Sequence, residues 1–526
     1  MRRAAALAAA LLLTVSGCTG GGDEPGDKPR EGVLRVLAGS ELADLKPILD
    51  QAERDIGVKV RLEYAGTLDG VRQVVDGRAD GRYEAVWFSS NRYLSLHRDA
   101  QRRLRTATTT MISPVVLGVR RSAAERLGWH TRPPTWADIA EAAAGHRFTY
   151  GMTSPAASNS GFSALVAVAS ALSGRGGALD AASIDAAGPK LTDFFAGQTL
   201  TAGSSGWLSD AYLRRQGSSV DGLINYESVL RSVGASGKLR EPLTIIYPRD
   251  GVVTADYPLT LLASAPAHAA DAHRRLGEYL RRPDVQRRIM TETHRRPVNP
   301  EAAPAEPAAI PPELPFPARP DAVQALLAAY YDKFRRPSRT LYVLDVSGSM
   351  KGERIEALRT ALVALTGGAG RFERFHNREE VTLIPFSGTP GQPVSYTVPA
   401  EAPEAELGRI RERARELTAG GDTAIYDSLM RAYGVADEQA ARDPDRFTSI
   451  VLMSDGENTG GLEFAGFRAR FAGLPERVRG VPVFPILFGE AAVTEMGALA
   501  ELTGGRTFDA RSQPLDVVFR EIRGYQ

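Results

Sequence analysis

The sequence predicts an α/β protein built of two α/β units. Three observations predict it. From Val33 onward, short apolar runs alternate with amphipathic stretches, the pattern of strands separated by helices and so of largely parallel sheet. A proline-dense stretch then divides the chain, with nine prolines between 297 and 320. Beyond it, two more apolar runs, Thr340–Leu344 and Thr448–Met453, each end at a cluster of acids and hydroxyls. At 526 residues the chain has room for two to four domains.

The N-terminus comes first. Arg2 and Arg3 precede the apolar stretch Ala4–Val15, which leads into Val15-Ser16-Gly17-Cys18. A basic start, a short apolar stretch and small residues are a secretory signal. The stretch is too short to span a membrane stably. Small residues directly before Cys18 resemble the bacterial lipoprotein cleavage box. That resemblance implies removal of residues 1–17, a diacylglycerol on Cys18, and anchoring to the extracytoplasmic face of the cell membrane. Cys18 is the single cysteine of the chain, so no intrachain disulfide forms. Residues 18–31 are rich in Gly, Pro and charge and read as a flexible tether.

Residues 32–300 alternate regularly. Val33–Ala38 reads as a strand, with Ser40 placed to cap a helix over 41–55. Strands follow at 58–64, 85–88, 114–119, 222–228, 244–247 and 257–262. Helices fall at 68–75, 163–172, 273–280 and 283–290. Polar turns close several strands: Trp87-Phe88-Ser89-Ser90-Asn91, Ser154 to Gly161, and Asn225-Tyr226-Glu227-Ser228. This layout resembles a bacterial extracellular solute-binding protein of the two-lobed periplasmic type. The resemblance implies one lobe from 32 to about 113 plus about 242–300, with the middle forming the other. It also implies a ligand held in the cleft between them. By position the cleft candidates are Ser40, Ser89, Asn91, Ser154, Ser158, Asn159, Ser160, Tyr226 and Glu227. Singly, each reads better as a helix cap or turn residue. As a set they recur at strand ends, where open α/β sheets bind ligands. Hydroxyls, amides and helix N-termini suit a small polar or anionic solute.

Residues 301–320 read as a semi-rigid proline-rich linker and, nearly as well, as an ordered extended strap across a lobe. The second unit, 321–526, opens with an amphipathic helix over 321–334. Its chemistry lies in three segments. Asp345-Val346-Ser347-Gly348-Ser349 brings a carboxylate and two hydroxyls to the end of a buried strand, with Gly348 allowing a tight turn. Gly420-Gly421-Asp422-Thr423 presents a further hydroxyl before a helix, and Ser454-Asp455 ends another strand. Hard oxygen ligands suit Mg²⁺, Mn²⁺ or Ca²⁺ rather than Zn²⁺. The order resembles the von Willebrand factor type A (VWA) domain and its metal-ion-dependent adhesion site. Asp345, Ser347, Ser349, Thr423 and Asp455 match its five metal positions. The resemblance implies a doubly wound Rossmann-like domain. It also implies a metal with one open position, filled by an Asp or Glu of a protein partner.

A formal net charge of +1 argues against nucleic acid as a partner. The chain shows no HExxH, phosphate-binding loop, GxSxG turn or Cys/His metal cluster, so it reads as a non-enzyme. The leading expectation is a lipid-anchored extracytoplasmic binding protein that engages a protein partner through a divalent cation and carries a solute-binding-like module. The alternative is the substrate-binding receptor of a membrane transporter with a regulatory VWA domain. A metal-dependent hydrolase is disfavoured, because two hydroxyls and few charges activate water poorly.

Overall fold

A computed structural model describes residues 33–526, except 175, 218, 306–308, 369–371, 456, 490–492 and 512–513. Cys18 and the tether lie outside the described residues. Three sheets carry the fold. In the first, the strands run Lys59–Tyr64, Val33–Ala38, Ala85–Trp87, Pro258–Leu262, Leu104–Thr109 across the sheet. The first three are parallel, and Pro258–Leu262 lies antiparallel to both its neighbours. In the second, the order is Thr254–Ala255, Ser113–Arg120, Gly222–Tyr226, Tyr150–Thr153, Gln198–Ala202, with Leu243–Ile246 also paired to Ser113–Arg120.

These two sheets are two lobes. The chain leaves the first lobe after Leu104–Thr109 and returns to it at Asp256, later than the expected return near Pro242. Leu243–Ile246 and Thr254–Ala255 instead complete the second lobe's sheet on Ser113–Arg120. Their apolar residues would otherwise lack a partner strand. The return passes through Tyr257, a fully buried residue at φ 41°. A bulky side chain adopts that conformation only where its surroundings enforce it.

Ser40 does not cap an α-helix. Gly39 precedes a 3₁₀ turn, Ser40–Leu45, and the α-helix runs Lys46–Ile56 to Gly57 at φ 65°. The physical reason is spacing: Leu42 and Leu45 both point into the core three residues apart, the period of a 3₁₀ turn. Proline spacing near 310–317 gives an ordered strap. Leu314 N–H donates to Val252 O and Val252 N–H to Pro312 O. Glu313 pairs with Arg92 of the first lobe, and Phe316 packs beside Phe162 of the second. Prolines lack N–H groups but keep their carbonyls, so a one-sided strap suits them. The helix Pro320–Ala329 follows, then a wider turn Tyr330–Phe334. Val323, Leu326, Leu327 and Tyr330 of this segment join the hydrophobic core of the two-lobed module.

The third sheet runs Val394–Thr397, Glu380–Phe386, Ser338–Asp345, Phe447–Ser454, Val483–Leu487, Phe508–Asp509. All neighbours but the first pair are parallel. Ser338–Asp345 shows why both faces are covered. Leu341 and Val343 enter one core, Tyr342 and Leu344 the other, the period-two alternation of a strand. The helices Glu353–Val363, Glu404–Arg415 and Leu515–Arg523 cover one face; Ile425–Arg442, Phe464–Ala472 and Val493–Thr503 cover the other. Strand order reverses between Ser338–Asp345 and Phe447–Ser454, so the crevice at their carboxyl ends is the switch point where such sheets hold ligands. Among the described residues, no helix is long and apolar enough to cross a membrane.

Candidate functional site

At the switch point of the third sheet, Asp345 ends one strand and Asp455 follows the next. Both are buried. Asp345 Oδ1 accepts from Ser347 N–H at 2.8 Å, and its Oδ2 from the Ser454 hydroxyl at 2.6 Å. Ser349 Oγ donates to Asp455 Oδ1 at 2.7 Å and lies 3.0 Å from Ser347 Oγ. The loop carrying Thr423 is drawn in by Gly348 N–H donating to Gly421 O at 2.8 Å. It is held from the other side by Thr423 N–H donating to Thr459 Oγ1 at 2.9 Å. The structure therefore brings Asp345, Ser347, Ser349 and Asp455 into one hydrogen-bonded group, with Thr423 on the adjoining loop.

The donor set fits a hard divalent cation: two carboxylates and three hydroxyls, with no sulfur or imidazole. Among the described residues no group of three His, Cys, Asp or Glu collects; the set here relies on hydroxyls for its remaining ligands. Burial pushes the Asp345 carboxyl above its usual range. Hydrogen bonds from Ser454 and Ser347 pull it back, and the Asp455 charge adds to the rise. Two close buried acids call for a positive charge, and Arg354 supplies one. Its guanidinium pairs with Asp455 Oδ2. Arg354 has no place in the sequence motif; its only signal is a basic residue in the helix turn after Ser349.

The cleft candidates divide. Ser154, Ser158, Asn159 and Ser160 are buried at the lobe interface. Ser160 Oγ contacts Thr153 Oγ1 at 2.9 Å, Ser158 Oγ at 3.2 Å and Ser205 Oγ at 2.8 Å. Asn159 Nδ2 donates to Glu41 Oε1 of the opposite lobe at 3.2 Å. Ser89 and Asn159 line a void of about 20 Å³, room for one water. Ser40 and Ser154 line a cavity of about 820 Å³ that the second domain helps to enclose. Tyr226 is buried at the same boundary, its hydroxyl beside Ser89 and Ser163 and close to Glu41, with its ring 6.1 Å from Tyr257. Two candidates turn elsewhere. Asn91 donates to Thr260 Oγ1 at 2.7 Å within its own lobe. Glu227 accepts from Arg296 at 2.6 Å, Arg231 at 2.8 Å and the Tyr247 hydroxyl at 2.6 Å. Burial alone would raise its carboxyl, but these donors hold it low. Arg296 also bonds Ile112 through both backbone groups, so Glu227 braces the crossover between lobes.

Residues 34–292 match the family described as bacterial extracellular solute-binding protein, and residues 340–457 match the von Willebrand factor type A domain. The chain joins a periplasmic-binding-protein-like domain to a VWA domain. Both families are binding modules rather than catalysts. The chain resembles inter-alpha-trypsin inhibitor heavy chain H4 of Sus scrofa at 34% identity over 129 residues, 24% of this chain and 13% of that protein. The alignment thus spans about an eighth of that relative. Solved structures similar in part include the periplasmic binding protein AfuA from Actinobacillus pleuropneumoniae with fructose-6-phosphate bound. Its identity is 12% and its TM-score 0.45, covering 58% of this chain and 99% of that one. The sulfate-binding protein SubI from Mycobacterium tuberculosis is 20% identical with TM-score 0.39, covering 51% and 88%.

Two functional residues escape the sequence reading of the periplasmic-binding-protein-like domain. Glu41, beside Ser40, accepts from the Asn159 side-chain amide of the opposite lobe. Tyr331 brings its hydroxyl 2.6 Å from Ser154 Oγ. Its signal in the sequence is an amphipathic helix, which marks its ring as core and is silent about its hydroxyl.

Proposed function

We propose that the protein is a lipid-anchored, extracytoplasmic solute receptor serving a membrane transporter, with its VWA domain as a metal-dependent regulatory unit. One observation carries the reading: strand ends of both lobes converge on a single polar set, Ser154, Ser158, Asn159 and Ser160 facing Glu41. The match of residues 34–292 to the solute-binding family supports it, as does the secretory and cysteine pattern ending at Cys18. The lobes stand closed, so a solute enters only as they part. Asn159 already receives a carboxylate, that of Glu41, which supports a carboxylate or oxyanion as the ligand class. A cleft ligand stabilises the folded chain by mass action. A thermal-shift panel of oxyanions, amino acids, sugars and peptides on the full chain should contain a compound that raises the melting temperature. Ser158→Ala with Ser160→Ala should shrink that shift. A panel that leaves the protein unmoved counts against the reading.

A second reading rests on the metal-site geometry. Asp345, Ser347, Ser349, Thr423 and Asp455 would hold Mg²⁺, Mn²⁺ or Ca²⁺, with Ser349 exposed at the rim. The metal would supply a Lewis-acidic position for an acidic side chain of a protein partner. Chelator should then weaken partner binding more than it lowers the melting temperature.

A further inference from the structure

The VWA domain docks by the end opposite its metal positions, and it docks on both lobes at once. Strand Ser338–Asp345 has eight residues, so its two ends lie about 23 Å apart. Asp345 marks the metal end. At the other end, the segment from Tyr330 to Arg335, the loop Phe372–Glu379 and the C-terminal residues form a base. From this base Glu373 pairs with Arg72 of the first lobe at 3.4 Å. Tyr525 packs edge-on against Trp207 of the second lobe at 5.0 Å and lies over Gly203. Gly480 O accepts from Arg215 of the second lobe at 2.9 Å.

Tyr331 stands at the centre of this base. Ala156 N–H donates to its oxygen at 3.2 Å, and that oxygen lies 2.6 Å from Ser154 Oγ, where either hydroxyl can donate. The ring is stacked on His376 at 4.5 Å and 10°, and Arg335 lies 4.9 Å from its centre. Behind it, Glu379 accepts from both Arg335 and Arg523 at 2.7 Å. Tyr331, whose ring also joins the core of the two-lobed module, is thus held from the VWA side by His376 and Arg335 while its polar tip meets the second lobe's strand-end turn. That turn is the one the cleft chemistry uses.

We propose that Tyr331 is a built-in occupant of the solute cleft's rim and that the VWA base clamps the two lobes shut. The geometry requires the coupling. One rigid base bonded to Arg72 on one lobe and to Ser154, Gly203 and Trp207 on the other cannot follow both as they part. Opening breaks either the first-lobe contact or the Tyr331 contact. The lobes meet closely: Asn159 reaches Glu41, and Gly66 lies against Ala157 O. Domain docking and cleft opening are therefore mutually exclusive. A solute oxygen that replaces the Tyr331 hydroxyl on Ser154 and Ala156 would release the domain, and release of the domain would free the cleft. The solute side of this statement rests on the receptor reading; the clamp does not, and its test uses no solute.

Hydrogen–deuterium exchange on the full chain provides that test, comparing wild type, Glu373→Gln, and Tyr331→Phe combined with Glu373→Gln. Phenylalanine keeps the stacked ring and removes only the hydroxyl contacts. Glutamine at 373 weakens the partly exposed ion pair with Arg72 and a second one, with Arg520, inside the VWA domain. The double variant should exchange about tenfold faster at amides 154–160 and 39–45, the opposed lobe faces, as a local opening equilibrium shifts by that factor. Glu373→Gln alone should give a smaller change at the same amides. Strands Ser338–Asp345 and Phe447–Ser454 should keep wild-type protection. Unchanged protection of both lobe faces in the double variant would overturn the clamp, whether or not the loop 372–379 becomes exposed.

Discussion

Asn159 donates its side-chain amide to Glu41 across the lobe boundary, at 3.2 Å. Burial is the main force raising the Glu41 carboxyl. Hydrogen bonds from its own backbone and Asn159, with the Arg295 charge, pull it back, and Asp44 pushes it up again. Closure therefore places a half-buried acid at the lobe interface and compensates it with polar neighbours. The contact forms only because two glycines line the boundary. A Cβ on Gly39 would meet Glu41 and Asn159, and one on Gly66 would meet the Ala157 carbonyl.

Gly66 gives a clean steric test of closure. Its φ of −71° suits any residue, so alanine leaves the local backbone unstrained. The added methyl collides with the opposite lobe. Gly66→Ala should enlarge the radius of gyration of the full chain in solution scattering, at a cost of about 1–3 kcal/mol in closure. Identical scattering curves would argue that the lobes do not close along this line.

Glu379 should make the docked base acid-sensitive. Burial alone would raise its carboxyl, but the Arg523, His376 and Arg335 charges bring it down from 4.5 to about 2. A lowered carboxyl contributes stability above its unfolded value that is lost as pH falls toward the folded one. The window is thus roughly pH 4.5 to 2, and the loss roughly 3 kcal/mol. Glu379→Gln leaves two buried arginines uncompensated and should cost about 3–5 kcal/mol at neutral pH. Its melting temperature should fall less steeply than wild type across that window. Parallel curves would contradict the assignment.

Arg354 should compete with a divalent cation. Its guanidinium pairs with Asp455, one of the five proposed metal positions. Because its side chain is 38% exposed, the pair is worth only about 1 kcal/mol. Arg354→Gln should therefore tighten Mg²⁺ or Mn²⁺ binding about threefold to tenfold by calorimetry, and Asp345→Ala should abolish it. Equal affinities in wild type and Asp345→Ala would remove the metal site.

Cys18 should carry the anchor. Cys18→Ala should leave a larger precursor that takes no labelled palmitate and leaves the membrane fraction. Equal labelling of wild type and variant would remove the lipoprotein assignment.

The sequence is most legible where one residue type has one physical use. The apolar run ending at Asp345 reads as a strand because both faces of Ser338–Asp345 are buried. The grouping of Asp345, Ser347, Ser349 and Asp455 is legible because their hydroxyls and acids stand at strand ends by short spacing. The cleft is half legible. Ser158 and Ser160 mark the helix start, whereas Glu227 has the same strand-end position but is drawn to Arg296 from a distant segment. Tyr331, Glu41 and Arg354 were illegible for that reason: each acts through a partner far away in the chain. The strap at 310–317 was ambiguous because proline density fits an extended linker and, nearly as well, an edge pairing.

The central claim is that a polar solute binds between the lobes at Asn159, Ser158 and Ser160. It is tested most directly by calorimetric titration of the strongest compound from the thermal-shift panel. Wild type is compared with Asn159→Ala and with Ser158→Ala/Ser160→Ala. The account predicts saturable binding to wild type that weakens at least about tenfold in each variant, the equivalent of one or two hydrogen bonds to the ligand. Equal affinity for all three proteins would place the ligand elsewhere and contradict the account.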